Sequence, residues 1–151
     1  MNRRNVLKMG VVSMATIAVG ANASDTPKAK ESGSKPMNRV EMNPQDPTNK
    51  NKHELKHLPK ITVGSKDEKG YTTVEITIGQ GGIIHPSTPD HWIDFIELYA
   101  DDKLVGKNLL EAEISRGKTL FALKLDSVKV LKARAGCNLH GIWTSELALS
   151  K

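Results

Sequence analysis

The sequence predicts an all-β protein, an immunoglobulin-like β-sandwich of about seven strands, preceded by a signal peptide and a flexible linker. Three observations lead there. Beyond residue 52 apolar side chains recur at every second position, turn-forming clusters interrupt them at short intervals, and the first 51 residues carry neither pattern.

The chain begins with Arg3, Arg4 and Lys8, continues with an uncharged run over residues 9–21, and reaches small residues at Ala21 and Ala23. A charged start, a short apolar middle and small residues before a cleavage point describe an export signal over residues 1–23. The run is too short for a membrane span, which needs roughly 20 apolar residues. The paired arginines followed by Val6, Leu7 and Lys8 resemble a twin-arginine signal, which would place the mature protein in the periplasm. Residues 24–51 change composition to Pro27, Pro36, Pro44, Pro47 and polar residues, without one aromatic. Such a segment lacks the apolar surface to offset its chain entropy and is expected to be a flexible tether. All six aromatics, all five histidines and the single cysteine follow it, so the folded domain is expected over residues 52–151.

Within that domain Val74, Ile76 and Ile78 alternate with Thr73, Glu75 and Thr77, as in a strand with one buried face. Residues 92–99 are apolar on both alternating sets and read as a strand buried on both sides. Further strands are expected at 59–63, 104–109, 118–125, 128–135 and 142–149, separated by turn clusters at 66–70, 101–102, 116–117 and 126–127. The formal charge of +5 is concentrated in the leader: residues 52–151 carry only +1 and no basic run interleaved with aromatics, which argues against nucleic acid as a partner.

His53-Glu54-Leu55-Lys56-His57 fits the H-E-x-x-H pattern of zinc peptidases. That chemistry needs both histidines on one helical face, and Pro59 is expected to forbid a helix here, so the peptidase reading is set aside. A second constellation uses the remaining soft and nitrogen donors. His85 and His91 bracket a Pro-rich loop, and Cys137 and His140 lie on one tight turn. With His57 they supply four imidazoles and a thiolate from three loops at strand ends, a set suited to a transition metal. A lone cysteine in an exported chain has no internal disulfide to make, which leaves it buried, reactive or bound to metal.

The segments Lys56-His57-Leu58-Pro59, Gly82-Ile83-Ile84-His85-Pro86, His91-Trp92-Ile93 and Cys137-Asn138-Leu139-His140-Gly141-Ile142-Trp143 closely resemble the superoxide reductases, the desulfoferrodoxin and neelaredoxin family. The resemblance covers about residues 52–151. It implies one mononuclear iron per chain, with His57, His85, His91 and His140 as equatorial ligands and Cys137 as axial thiolate. It further implies one-electron reduction of superoxide to hydrogen peroxide, fed by an external donor such as a rubredoxin-like or other small redox protein. Lys56 matches the family position expected to steer superoxide and organise the water that protonates the product. Backbone N–H groups of the 138–140 turn are expected to point at the Cys137 sulfur. Trp92 and Trp143 flank the ligand positions and are expected to shield them or simply to pack. Many members are oligomeric, so a homo-oligomer is open to this chain.

Two features depart from the family pattern. Leu55 stands where many members have a Glu that can cap the oxidised iron, and with one Cys there is no second, cysteine-rich iron centre. A blue-copper carrier is disfavoured, because all five methionines lie at or before Met42, far from the His and Cys positions. The alternative kept open is a non-catalytic exported module that binds metal or transfers electrons.

Overall fold

The computed structural model describes residues 37–150. The expected signal segment 1–23 and residues 24–36 of the expected tether lie outside the described residues. Eight strands and one short helix follow in order: β1 (Glu41–Met42), α1 (Lys52–His57), β2 (Pro59–Lys66), β3 (Thr72–Ile78), β4 (Ile93–Ala100), β5 (Lys103–Leu109), β6 (Lys118–Leu123), β7 (Val130–Cys137) and β8 (Gly141–Ala148). They form a five-stranded sheet in the order β1-β8-β7-β4-β5 and a three-stranded sheet β2-β3-β6. The seven strands expected from the alternation are all present.

Alternation builds the core. Val74, Ile76 and Ile78 of β3 face Ile96 and Leu98 of β4 and Leu131, Ala133 and Ala135 of β7, and all are fully buried. Burying such side chains contributes about 1.5–3 kcal/mol each for Val, Leu or Ile. The same period of two carries β7 inward to Cys137, the last residue of that buried row. Strand β4 is buried on its outer side as well. Phe95 lies beneath the Arg39 and Lys107 cations, and the Glu97 carboxylate accepts from Lys107 at 2.9 Å, Arg134 at 2.9 Å and the Tyr99 hydroxyl at 3.0 Å.

Two expectations need correction. Residues 37–51, assigned by composition to the tether, belong to the folded unit. β1 pairs in parallel with β8, Asn38 donates from its backbone to Asn138 O at 2.8 Å, and Arg134 forms an ion pair with Glu41. This segment is held by backbone hydrogen bonds and ion pairs rather than by apolar burial, so hydrophobic composition could not announce it. The second correction is the helix. Asn51 caps α1 by accepting from Glu54 N at 3.0 Å, and Glu54 returns a carboxylate oxygen to Asn51 N at 2.9 Å. This reciprocal cap stabilises a short helix at the end where its N–H groups would otherwise be unpaired. Pro59 does not abolish it. Its effect falls on Leu58, which leaves the helix with ψ 129°, and six helical residues fit ahead of it.

One end of the sandwich gathers the start of β2, the end of β3, the start of β4, the end of β7 and the start of β8, through the pairings Pro59 with Ile78, Ile93 with Cys137 and Cys137 with Gly141. Close packing beside this end needs a residue without a side chain at 136, where a Cβ would overlap the Phe95 ring. Gly136→Ala is therefore expected to destabilise the fold by about 1–3 kcal/mol. Denaturant unfolding checks it, and an unchanged midpoint would show that Phe95 moves aside freely.

Candidate metal centre

The helix α1, the β3–β4 loop and the β7–β8 turn deliver the five sequence-predicted donors to this end. His57 sits in the last turn of α1, and its Nδ1–H donates to the His53 carbonyl at 2.6 Å, one helical turn back. That bond leaves Nε2 as the free nitrogen, aimed inward. His85 follows the turn after β3. Its backbone N–H donates to Ile78 O at 3.1 Å, and its ring Nδ1 donates to Pro86 O at 2.7 Å. Its Nε2 is buried with no hydrogen-bond partner among the described residues. His91 closes a tight turn with Thr88 through two backbone bonds of 2.9 and 3.2 Å. Cys137 and His140 occupy the β7–β8 turn, which ends at Gly141, whose φ of +81° suits a residue without a side chain.

The donors converge. His140 Nδ1 lies 3.1 Å from His57 Nε2, 3.2 Å from His91 Nε2 and 3.5 Å from Cys137 Sγ. One donor atom from each of these four residues lies within 4.8 Å of every other. The His85 ring completes the group, its centroid 4.8 Å from that of His57 and 4.6 Å from that of His91. Donors bound side by side on one ion at about 2.0–2.3 Å sit about 3 Å apart, so this spacing and the unpartnered His85 Nε2 fit a metal ion.

Burial governs the electrostatics. It pushes the His57 imidazole down to about 3 and that of His85 to about 4, and it lowers His91 and His140 as well. Neutral imidazoles are the form that ligates metal. Burial raises the Cys137 thiol, while the N–H groups of His140 and Leu139 and the positive charge of Lys56 act in the opposite sense. The expected N–H contacts to sulfur therefore come from Leu139 and His140. The Asn138 N–H goes instead to Trp92 O at 3.1 Å. Lys56 is half-buried on α1, forms no ion pair among the described residues, and its charge reaches His85, His91, His140 and Cys137.

Trp143 stacks on the His57 ring at 5.4 Å with 20° between planes and donates from its indole to His140 O at 2.9 Å, so it shields and orients two of the histidines. Trp92 acts through its backbone. His53 does share a helical face with His57, at 4.4 Å between rings, yet it stands outside the four-donor group. Glu54 is buried and spends its carboxylate on Asn51 N and on Gln45 N at 2.7 Å, which removes the general base a zinc peptidase needs. It is equally unable to stand in for Leu55 as a carboxylate cap, because it is locked at the helix start rather than because the segment is extended. Sequence reasoning missed the Asn51–Glu54 cap, whose spacing was readable, and the side chains of Asn38 and Asn138, whose partners are more than 40 residues away.

The desulfoferrodoxin family model matches residues 48–146. The chain belongs to the desulfoferrodoxin family. Among relatives, it is 37% identical over 91 residues to the desulfoferrodoxin of Nitratidesulfovibrio vulgaris, covering 60% of this chain and 62% of that one. It is 32% identical over 103 residues to the superoxide reductase of Pyrococcus abyssi, covering 62% of this chain and 87% of that one. Among solved structures, the reduced form of a superoxide reductase (neelaredoxin) variant from Archaeoglobus fulgidus matches with a TM-score of 0.55 and 29% identity, over 65% of this chain and 91% of that one. The superoxide reductase of Giardia intestinalis matches with a TM-score of 0.54 and 26% identity, over 62% and 98%.

This desulfoferrodoxin-type centre should titrate. An imidazole pushed below its ordinary value of 6.5 adds no penalty to the folded state at higher pH, and the penalty grows as pH falls from about 6.5 toward the folded value of about 3 for His57. Over that window the unfolded chain takes up protons that the folded site refuses. The metal-free protein is expected to melt at progressively lower temperature between about pH 7 and pH 4, and His57→Gln should flatten the dependence. A midpoint insensitive to pH in the unmodified chain would contradict the burial argument.

Proposed function

We propose that the protein is a superoxide reductase that holds one iron through His57, His85, His91, His140 and Cys137. The convergence of four donor atoms within 4.8 Å, with the buried His85 Nε2 left unpartnered beside them, is the observation that carries this reading. Family membership and relatives that bear the name superoxide reductase support it. Iron in this site would supply one electron: superoxide, one electron and two protons give hydrogen peroxide, and an external donor, rubredoxin-like or another small redox protein, restores the electron.

The residues divide the work by their chemistry. Neutral imidazoles held by backbone carbonyls provide directional nitrogen donors without adding charge. The buried Cys137 sulfur provides the soft donor, and the Leu139 and His140 N–H groups temper its negative charge. Lys56 contributes the positive charge that draws a small anion to the site and can hold the water that delivers protons. Leu55 leaves the carboxylate cap of many members out of this reading. Metals later in the affinity series, copper and zinc, compete for the same donors, so folding with iron before export would give the export signal a chemical purpose. Periplasmic residence by the twin-arginine route belongs to this proposal and rests on residues 1–23 alone.

Three measurements test it. The purified protein should contain about one iron per chain, show a thiolate-to-ferric absorption that Cys137→Ser abolishes, and consume pulsed superoxide without releasing dioxygen. Zinc or copper with no superoxide consumption would leave a non-catalytic metal-binding module. Lys56→Ala should retain iron and slow the superoxide reaction by about 10-fold at low salt; an unchanged rate would remove Lys56 from the reaction. Changing Arg3 and Arg4 together to Lys should leave the precursor in the cytoplasm, and normal export of that variant would point to the general secretion route.

A further inference from the structure

Asn138 is buried to 2% exposure beside the thiol, and its side-chain amide and backbone N–H are all spent on the neighbouring ligand-bearing loop, while its carbonyl accepts from Asn38 N. Its side-chain oxygen accepts from Trp92 N at 2.8 Å, and its side-chain amide donates to Asp90 O at 2.7 Å. Its backbone N–H adds a third bond, to Trp92 O at 3.1 Å. The residue between those two partners is His91. The two side-chain bonds therefore straddle a single ligand position and fasten it to the turn that carries Cys137 and His140. The two loops also meet at the donors themselves, where His140 Nδ1 lies 3.2 Å from His91 Nε2. His91 hydrogen-bonds Thr88 within its own turn, and Ile93 pairs with Cys137 only through the ladder.

The other nitrogen donors are secured differently. His57 and His85 have ring N–H groups tied to backbone carbonyls on their own segments, and His140 shares its turn with Cys137. Among the described residues no such carbonyl bond holds the second ring nitrogen of His91. Its ring is placed by where its backbone is put, and an amide side chain on a different loop puts it there. We infer that Asn138 is a positioning residue for metal binding: its carboxamide clamps the Asp90–Trp92 backbone so that the His91 Nε2 meets the donors of Cys137, His140 and His57. This inference rests on the metal-centre reading above and adds to it the residue that sets the fourth donor. An Asn suits the task because one planar group offers an acceptor and a donor pointing opposite ways, which neither Asp nor Ser supplies.

The test is a double-mutant cycle on the full chain, with Co(II) affinity measured by chelator competition and the thiolate-to-Co(II) absorption recorded. Asn138→Ala is expected to lower affinity by about 10- to 100-fold and to shift the absorption, the size usual for groups that orient ligands. In a His91→Ala background the same change should alter affinity by no more than about twofold, because the donor it positions is already gone. Equal losses in both backgrounds would make Asn138 a general structural residue and overturn the inference, as would unaltered affinity in Asn138→Ala. If Asn138→Ala does not fold, judged by thermal unfolding of the metal-free chain, Asn138→Ser takes its place in the cycle. Failure of the unmodified chain to bind Co(II) would overturn the metal-centre reading together with this inference, whereas normal binding with an additive cycle would overturn the inference alone.

Discussion

Polar atoms crowded at the end of an apolar core must be neutral, aimed and held, and the local structure of this protein follows from meeting those three conditions at once. Four imidazoles and a thiol share one space, with His57, His85 and Cys137 fully buried and His91 and His140 at its partly exposed edge, and a charged and unpaired group in the buried part costs several kcal/mol. Burial keeps the imidazoles uncharged. Backbone carbonyls of His53 and Pro86 take up the outward ring N–H groups, so the inward nitrogens are left as lone-pair donors. Without a cation the remaining cost is visible in the unpartnered His85 Nε2. A metal ion would satisfy all five donors together, which couples metal binding to the stability of this end of the fold.

Holding the donors together falls to a segment of polar, Pro-rich composition. Asn38 donates from its backbone to Asn138 O and from its side chain to Leu139 O at 2.9 Å, and Gln45 N donates to the Glu54 carboxylate. The stretch from 38 to 45 thus links the cysteine turn to the helix that bears His57. On the outer face of the large sheet, Glu97 gathers Lys107 and Arg134, and Arg134 reaches on to Glu41 of the same stretch. A half-exposed ion pair contributes little alone, but this network shares a nearly buried carboxylate and lies directly behind β7.

The electrostatic character of the site suits an anionic substrate. The folded domain is almost neutral overall, so attraction of a small anion must come from local charge rather than from a basic surface. Lys56 is the cation whose influence reaches three of the histidines and the sulfur. Leu55, beside it, adds no carboxylate to repel the anion or to occupy a ligand position. The Glu at 54 is withdrawn into the helix cap, one residue and a different direction away.

Strands were legible residue by residue because a half-buried strand must alternate, and the donors were legible because the chain's single Cys and every His but His53 belong to the set. The helix escapes a reading based on Pro59 because that residue constrains Leu58 and leaves residues 52–57 free to be helical, although Asn51 and Glu54 spell out its cap. The ordering of residues 37–51 was not legible at all, since long-range backbone bonds leave no periodicity. By itself, then, the sequence determined the sandwich, its alternating strands and the inventory of metal donors, all of which follow from local alternation and residue chemistry. Only the tertiary structure decided which imidazole nitrogen faces inward, that His53 stands outside the group, and that Asn138 binds the His91 loop to the cysteine turn. Those outcomes depend on hydrogen bonds between segments far apart in the chain, whose geometry exists only once both sheets have closed on their core.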